Sequence, residues 1–96
     1  MVNQYPDHSG NLIGLKRIEG QVRGIQKMIE RREYCVDILT QIHAVVCSLS
    51  RVEDEILGRH LAGCVSEAVS HRSAQERQKK LAEVIKLINQ FRRIYR

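Results

Sequence analysis

His60 and Cys64 stand four residues apart. On a helix both would project from one face, with Cβ atoms roughly 6 Å apart. An imidazole and a thiol at that spacing form half of a metal site. The commoner meaning of such a pair is a packed cysteine beside a surface histidine. A third donor changes the weighting, and Cys35 is the candidate. It opens the same stretch of apolar periodicity, where the free amide groups of a first helical turn favour an anionic ligand such as a thiolate. One chain cannot bring the three together: 60 − 35 = 25 residues of continuous helix span about 37 Å.

The elements that must position these donors are helical. Leu15, Ile18, Val22, Ile25 and Ile29 recur at steps of three and four. So do Ile38, Ile42, Val45, Leu49, Val52 and Ile56, and again Leu81, Val84, Ile88, Phe91 and Tyr95. No segment alternates as a strand does. The spacing predicts three helices, over 10–31, 35–69 and 74–95. The middle one, at 1.5 Å per residue, is about 50 Å long. Its apolar stripe is too long for one neighbouring helix on each side in so short a chain. Pairing with the same helix of a second copy, antiparallel about a two-fold near Leu49, resolves this. That arrangement sets Cys35 of one chain beside residues 60–64 of the other and creates two equivalent Cys35/His60/Cys64 sites per dimer. Two thiolates and one imidazole suit trigonal Cu(I). Zn(II), or Ni(II) with a further ligand, is also compatible.

Composition narrows the class. With 96 residues there is room for one small domain, read as 11–96 behind a flexible arm at 1–10. Aromatic residues are 4% and Trp is absent, so aliphatic side chains must build the core, and oligomerisation is the natural supplement. No uninterrupted apolar run approaches the roughly 20 residues of a membrane span, and the polar first ten residues lack the apolar stretch of a signal peptide. A cytoplasmic location is expected, where three cysteines, an odd number, remain reduced. No nucleophile–base constellation, phosphate loop or cofactor fingerprint points to an enzyme. Sixteen Lys and Arg against 11 Asp and Glu leave a net charge of +5, which mildly favours an anionic partner.

Other histidines and cysteines compete for attention. His43 and Cys47 repeat the His-x3-Cys spacing 17 residues earlier, which turns them roughly 100° around the helix. Cys47 is expected to be a packed small residue and His43 structural or interfacial. His8 lies in the arm, solvated or folded over as an extra ligand, and His71 reads as a loop residue.

The combined pattern resembles the CsoR/RcnR family of metal-sensing transcriptional repressors. The resembling stretches are Leu15-Lys-Arg-Ile-Glu-Gly-Gln-Val-Arg-Gly-Ile25, Tyr34-Cys-Val-Asp-Ile-Leu-Thr-Gln-Ile42 and His60-Leu-Ala-Gly-Cys64. The resemblance implies an all-α, three-helix protomer, an antiparallel four-helix-bundle dimer and assembly of dimers into a tetramer. It implies metal ligands from two subunits, Cys35 from one and His60 with Cys64 from the other. Within the family the Cys, His, Cys set is the Cu(I) pattern, while nickel and cobalt members add arm histidines, so His8 keeps Ni(II) as the alternative. Copper members pair a Tyr before the first Cys with a Glu on helix 3. Here the Tyr is Tyr34, but Lys80 stands at the Glu position, with Glu76 and Glu83 nearby; Tyr34 and Glu83 are taken as the residues behind the ligands. Some members also carry an Arg where this chain has Gly14.

Helix 1 carries Lys16, Arg17, Arg23, Lys27, Arg31 and Arg32, and helix 2 carries Arg51. Arbitrary basic residues usually make a solvated face. The resemblance shifts Lys16, Arg17, Gln21, Arg23 and Arg51 toward phosphates of operator double-stranded DNA, with salt-sensitive affinity. Gly20 and Gly24 remove side chains one turn apart, which permits close approach of a helix or a DNA backbone. No helix-turn-helix is evident, so a flat basic face reading DNA shape is expected. Arg92, Arg93 and Arg96 read as a solvated tail. The expected function is a repressor that binds its operator without metal and is released by Cu(I). The rivals are a nickel-responsive repressor, a thiol or persulfide sensor using Cys35 and Cys64, and a metal-storage protein, which leaves the basic block on helix 1 unexplained.

Overall fold

The computed structural model describes residues 5–70 and 73–92, without the side chains of 64, 65, 67–69 and 92. His71, Arg93, Tyr95 and Arg96, and the side chains of Cys64 and Arg92, therefore lie outside the described residues. The order is α1 (Asn11–Glu30), α2 (Cys35–Ser70) and α3 (Ala74–Arg92), and no strand occurs among the described residues. The all-α, three-helix reading holds, with boundaries within a few residues of those expected.

Local chemistry sets these limits. Before α1, Asp7 Oδ1 accepts from the Ser9 amide at 2.8 Å, and the His8 and Ser9 carbonyls accept from Asn11 and Leu12. These bonds wind the chain into the first turn. At the other end of α1, the Arg32 amide donates to Ile29 and the Glu33 amide to Met28. This is the paired bonding of a Schellman stop, and it needs a left-handed residue, which is Arg32 at φ 57° rather than a glycine. α2 begins where the Tyr34 carbonyl accepts from Asp37 and Ile38, with Asp37 favourably placed in the first turn. α3 begins at Ser73, whose Oγ accepts from the Glu76 amide at 3.4 Å. Ser73 and Glu76 have the spacing of a capping box.

The chain forms two compact units. In Asp7–Glu55, α1 lies antiparallel against the first part of α2. Asn11 Nδ2 donates to Glu55 Oε1, and a Cβ on Gly14 would stand 4.0 Å from Val52 Cγ2, so rising numbers on α1 meet falling numbers on α2. That distance is ordinary van der Waals contact, so Gly14 faces α2 without being forced to be glycine. Ile18 and Val45 are buried here, with Ile25, Met28, Ile38 and Val52 half-buried around them. In the unit from Ile56 onward, Val84 is buried, and Ile56, Leu57, Leu61, Leu87, Ile88 and Phe91 are half-buried.

Much apolar surface is left uncovered by this chain. On α2, Leu39, Ile42, Val46 and Leu49 are all exposed. At about 100° per residue they fall within roughly 80° of arc, a continuous stripe beside the one that meets α1. One expectation is corrected here. Cys35–Gly63 is long and apolar enough to cross a membrane by length and composition alone. No uninterrupted apolar run marks it, because Asp37, Gln41 and His43 punctuate the segment while its average stays apolar.

Candidate metal centre

Cys35 is the first residue of α2, and its thiol is exposed. Tyr34, immediately before it, is 68% exposed while its backbone carbonyl starts the helix. His60 is half-buried, and Cys64 lies one turn further along α2, its side chain outside the described residues. Among the described residues, no three His, Cys, Asp or Glu side chains come together in a way that could hold a metal ion. The donor set itself fits a thiophilic ion of low coordination number, because two soft thiolates dominate it and the imidazole is a borderline ligand that Cu accepts.

On α3, Glu83 Oε2 lies 3.6 Å from Lys80 Nζ, one turn apart, with Glu83 largely exposed. Lys80 thus engages a carboxylate on its own helix. An exposed pair of this kind contributes little to stability.

The second His-x3-Cys pair departs from expectation. Cys47 is exposed, not packed, and its Sγ lies 3.6 Å from His43 Nε2, which is also exposed. The reason is angular: both residues fall outside the α2 stripe that α1 covers, and among the described residues they stay exposed.

The basic residues divide. Lys16, Arg17, Arg23, Lys27 and Arg51 are exposed. Lys16, Arg23, Lys27 and Arg31 fall within roughly 80° of arc on the side of α1 opposite Ile18. Gly20 lies in the same sector and Gly24 just beyond its edge, and a Cβ at either would meet nothing within 4 Å. Arg23 reaches Glu19 at 3.8 Å across one exposed turn, which leaves its charge accessible. Gln21 differs: it is half-buried, and its Oε1 is closed from solvent without a hydrogen-bond partner. Glu53 Oε1 is closed off in the same way.

Known proteins are similar to this chain in sequence and fold. The chain is 54% identical over 56 residues to the copper-sensing transcriptional repressor RicR of Mycobacterium tuberculosis, and that match spans 58% of each chain, under two thirds of the relative's length. It is 46% identical over 72 residues to the copper-sensing transcriptional repressor CsoR of Bacillus subtilis, spanning 75% of this chain and 71% of that one. The fold is similar to the Cu(I)-bound copper-sensing repressor CsoR from Geobacillus thermodenitrificans, with TM-score 0.71, 40% identity and coverage of 95% and 93% of the two chains. It is also similar to the nickel-responsive transcriptional regulator InrS, with TM-score 0.76, 28% identity and coverage of 95% and 99%. Residues 8–90 match the family described as metal-sensitive transcriptional repressor, a span that takes in the basic helix, the exposed Cys35 and the His60–Cys64 turn. The chain therefore belongs to the metal-sensitive transcriptional repressors, a family that regulates rather than catalyses.

Proposed function

We propose that this chain is a cytoplasmic Cu(I)-responsive repressor that holds operator DNA in its metal-free form and releases it when Cu(I) binds. The observation that carries the reading is the pairing of an exposed Cys35 with an uncovered apolar stripe on the same helix. A second copy laid antiparallel along that stripe covers it and completes the ligand set from two chains. At about 100° per residue, Cys35, His60 and Cys64 fall within roughly 40° of one another, in the sector of Ile42 and Val46. The dimer that covers the stripe thus also carries the ligands. Dimers pairing into a tetramer would present the α1 basic faces together. The copper-sensing relatives support the choice of Cu(I).

In this reading 11–96 is one working domain behind a short arm, 1–10. Bound Cu(I) supplies bonds that tie two subunits into one arrangement. The chain's own residues do the rest. Cys35 ligates from one chain, and His60 and Cys64 from the other. The second ring nitrogen of His60 leads toward Tyr34 or an α3 residue such as Glu83, and so carries the change outward. Lys16, Arg17, Arg23 and Arg51 neutralise phosphates, with Gln21 at the edge of the face. The ligand acts through its unequal affinity for the two states; a tenfold bias corresponds to about 1.4 kcal/mol. Ni(II) is the second reading. It rests on the similarity to a nickel-responsive regulator and on His8, which is half-buried at the entry to α1.

The test is fluorescence anisotropy on the native operator, with Cu(I), Ni(II), Zn(II) and Co(II) titrated in turn. Cu(I) is expected to release DNA at the lowest free concentration. Cys35→Ala should bind the operator as the parent does and no longer respond. Release by Cu(I) from Cys35→Ala would remove this site as the sensor, and release by Ni(II) alone would favour the second reading.

A further inference from the structure

We propose a second metal site, held within one chain, at His43 and Cys47. These residues take no part in the reading above. They lie on consecutive turns of α2, both exposed, with Sγ and Nε2 3.6 Å apart. That separation is the bite of a tetrahedral centre. Zn–S of about 2.3 Å and Zn–N of about 2.0–2.1 Å, at the tetrahedral angle, put sulfur and nitrogen about 3.5–3.6 Å apart. Their sulfur–nitrogen separation matches what a Zn(II)-class ion requires, and the ion would replace the hydrogen bond that now joins them. The helix sets the two residues one turn apart, while the exposed side chains stay free to adjust to the ion.

The chemistry is that of an open site. Cys47 releases its thiol proton to solvent and binds as thiolate, His43 binds through Nε2, and water fills the remaining positions. A tetrahedral borderline cation is the class that fits: Zn(II), with Co(II) as its spectroscopic substitute. Two protein ligands make the affinity lower than at a three-ligand site, so the ion exchanges readily. The site lies wholly within the Asp7–Glu55 unit, so it does not depend on a second copy.

The sequence has three cysteines, so Cys35→Ala, Cys64→Ala leaves Cys47 as the sole thiol and silences the proposed intersubunit site. Co(II) added to that variant should give a near-ultraviolet thiolate-to-cobalt band and the strong visible absorption of a tetrahedral ion, saturating at one per chain. Zn(II) should abolish both. Adding His43→Ala should weaken Co(II) binding at least tenfold, with helicity by circular dichroism unchanged. Absence of the thiolate band, or a band indifferent to His43→Ala, would overturn the proposal. If the double variant fails to fold, Cys47→Ser in the otherwise unaltered chain decides. It should lower the Zn(II) bound per chain by one equivalent, and an unchanged stoichiometry rejects the site.

Discussion

Val45 is 8% exposed and Val46 is 47% exposed, although they are the same side chain one residue apart on α2. They point about 100° apart around the helix. Val45 belongs to the stripe that meets α1, with Ile38 and Val52. Val46 belongs to the stripe of Leu39, Ile42 and Leu49, which stays exposed among the described residues. A single amphipathic helix needs one apolar stripe, and α2 has two. The helix is therefore built for two neighbours, of which the chain itself supplies one. Exposed apolar surface of this extent on a small protein marks an interaction face.

The sharpest way to break the comparison is to charge the uncovered stripe. Val46→Glu should leave the helical content of a single chain intact, because the side chain is already half in solvent. It should separate the subunits, since a two-fold places two carboxylates in one apolar interface at a cost of several kcal/mol. Sedimentation equilibrium is expected to show a fall to monomer mass and a loss of stoichiometric Cu(I) binding. If Val46→Glu keeps the parent's mass, the uncovered stripe is not the subunit interface.

The covered stripe should respond differently. Val45→Ala removes two buried methyl groups and should lower unfolding free energy by about 2 kcal/mol. Val46→Ala in a monomeric background should change it by less than about 0.5 kcal/mol, as exposed substitutions do. Urea melts of the two variants at concentrations where the chain is monomeric measure the contrast. Equal costs would mean that the two stripes are not divided as described.

How much of this was legible beforehand depends on the range of the interaction. The three helices were, because apolar residues at steps of three and four report burial directly. The one-turn spacing of His60 and Cys64 on a single helix was, because it is local. The state of Cys47 was not: small and sulfur-bearing, it looked like core, and only the position of α1 decides that its sector of α2 stays open. The Asn11–Glu55 hydrogen bond joins residues 44 apart and had no local signal. Gln21 sits in a basic block, yet its carbonyl oxygen is turned away from solvent, a fact of helix rotation that charge counting does not contain. The stop of α1 was read as a break near 31–34, but its chemistry was hidden. A Schellman stop is usually announced by glycine, and here the left-handed position is filled by Arg32.

That last residue sharpens the comparison from the side of the covered stripe. The turn at 31–34 delivers α2 back along α1, so its stability contributes to the Val45 contact and not to the Val46 stripe. A left-handed backbone crowds the Cβ of an L-residue at a cost of roughly 1 kcal/mol, which glycine escapes. Glycine also widens the freedom of the unfolded chain, which takes back part of the gain. Arg32→Gly should therefore stabilise the monomeric unit by about 0.5 kcal/mol, read as a small rise in the urea midpoint, with the subunit mass unchanged. Arg32→Val should act in the opposite direction and more strongly, because a β-branched side chain tolerates this conformation least. If Arg32→Gly instead lowers stability, the arginine side chain must contribute more than the strained backbone costs. The turn would then be held by that side chain as well as by its two amide hydrogen bonds to Ile29 and Met28.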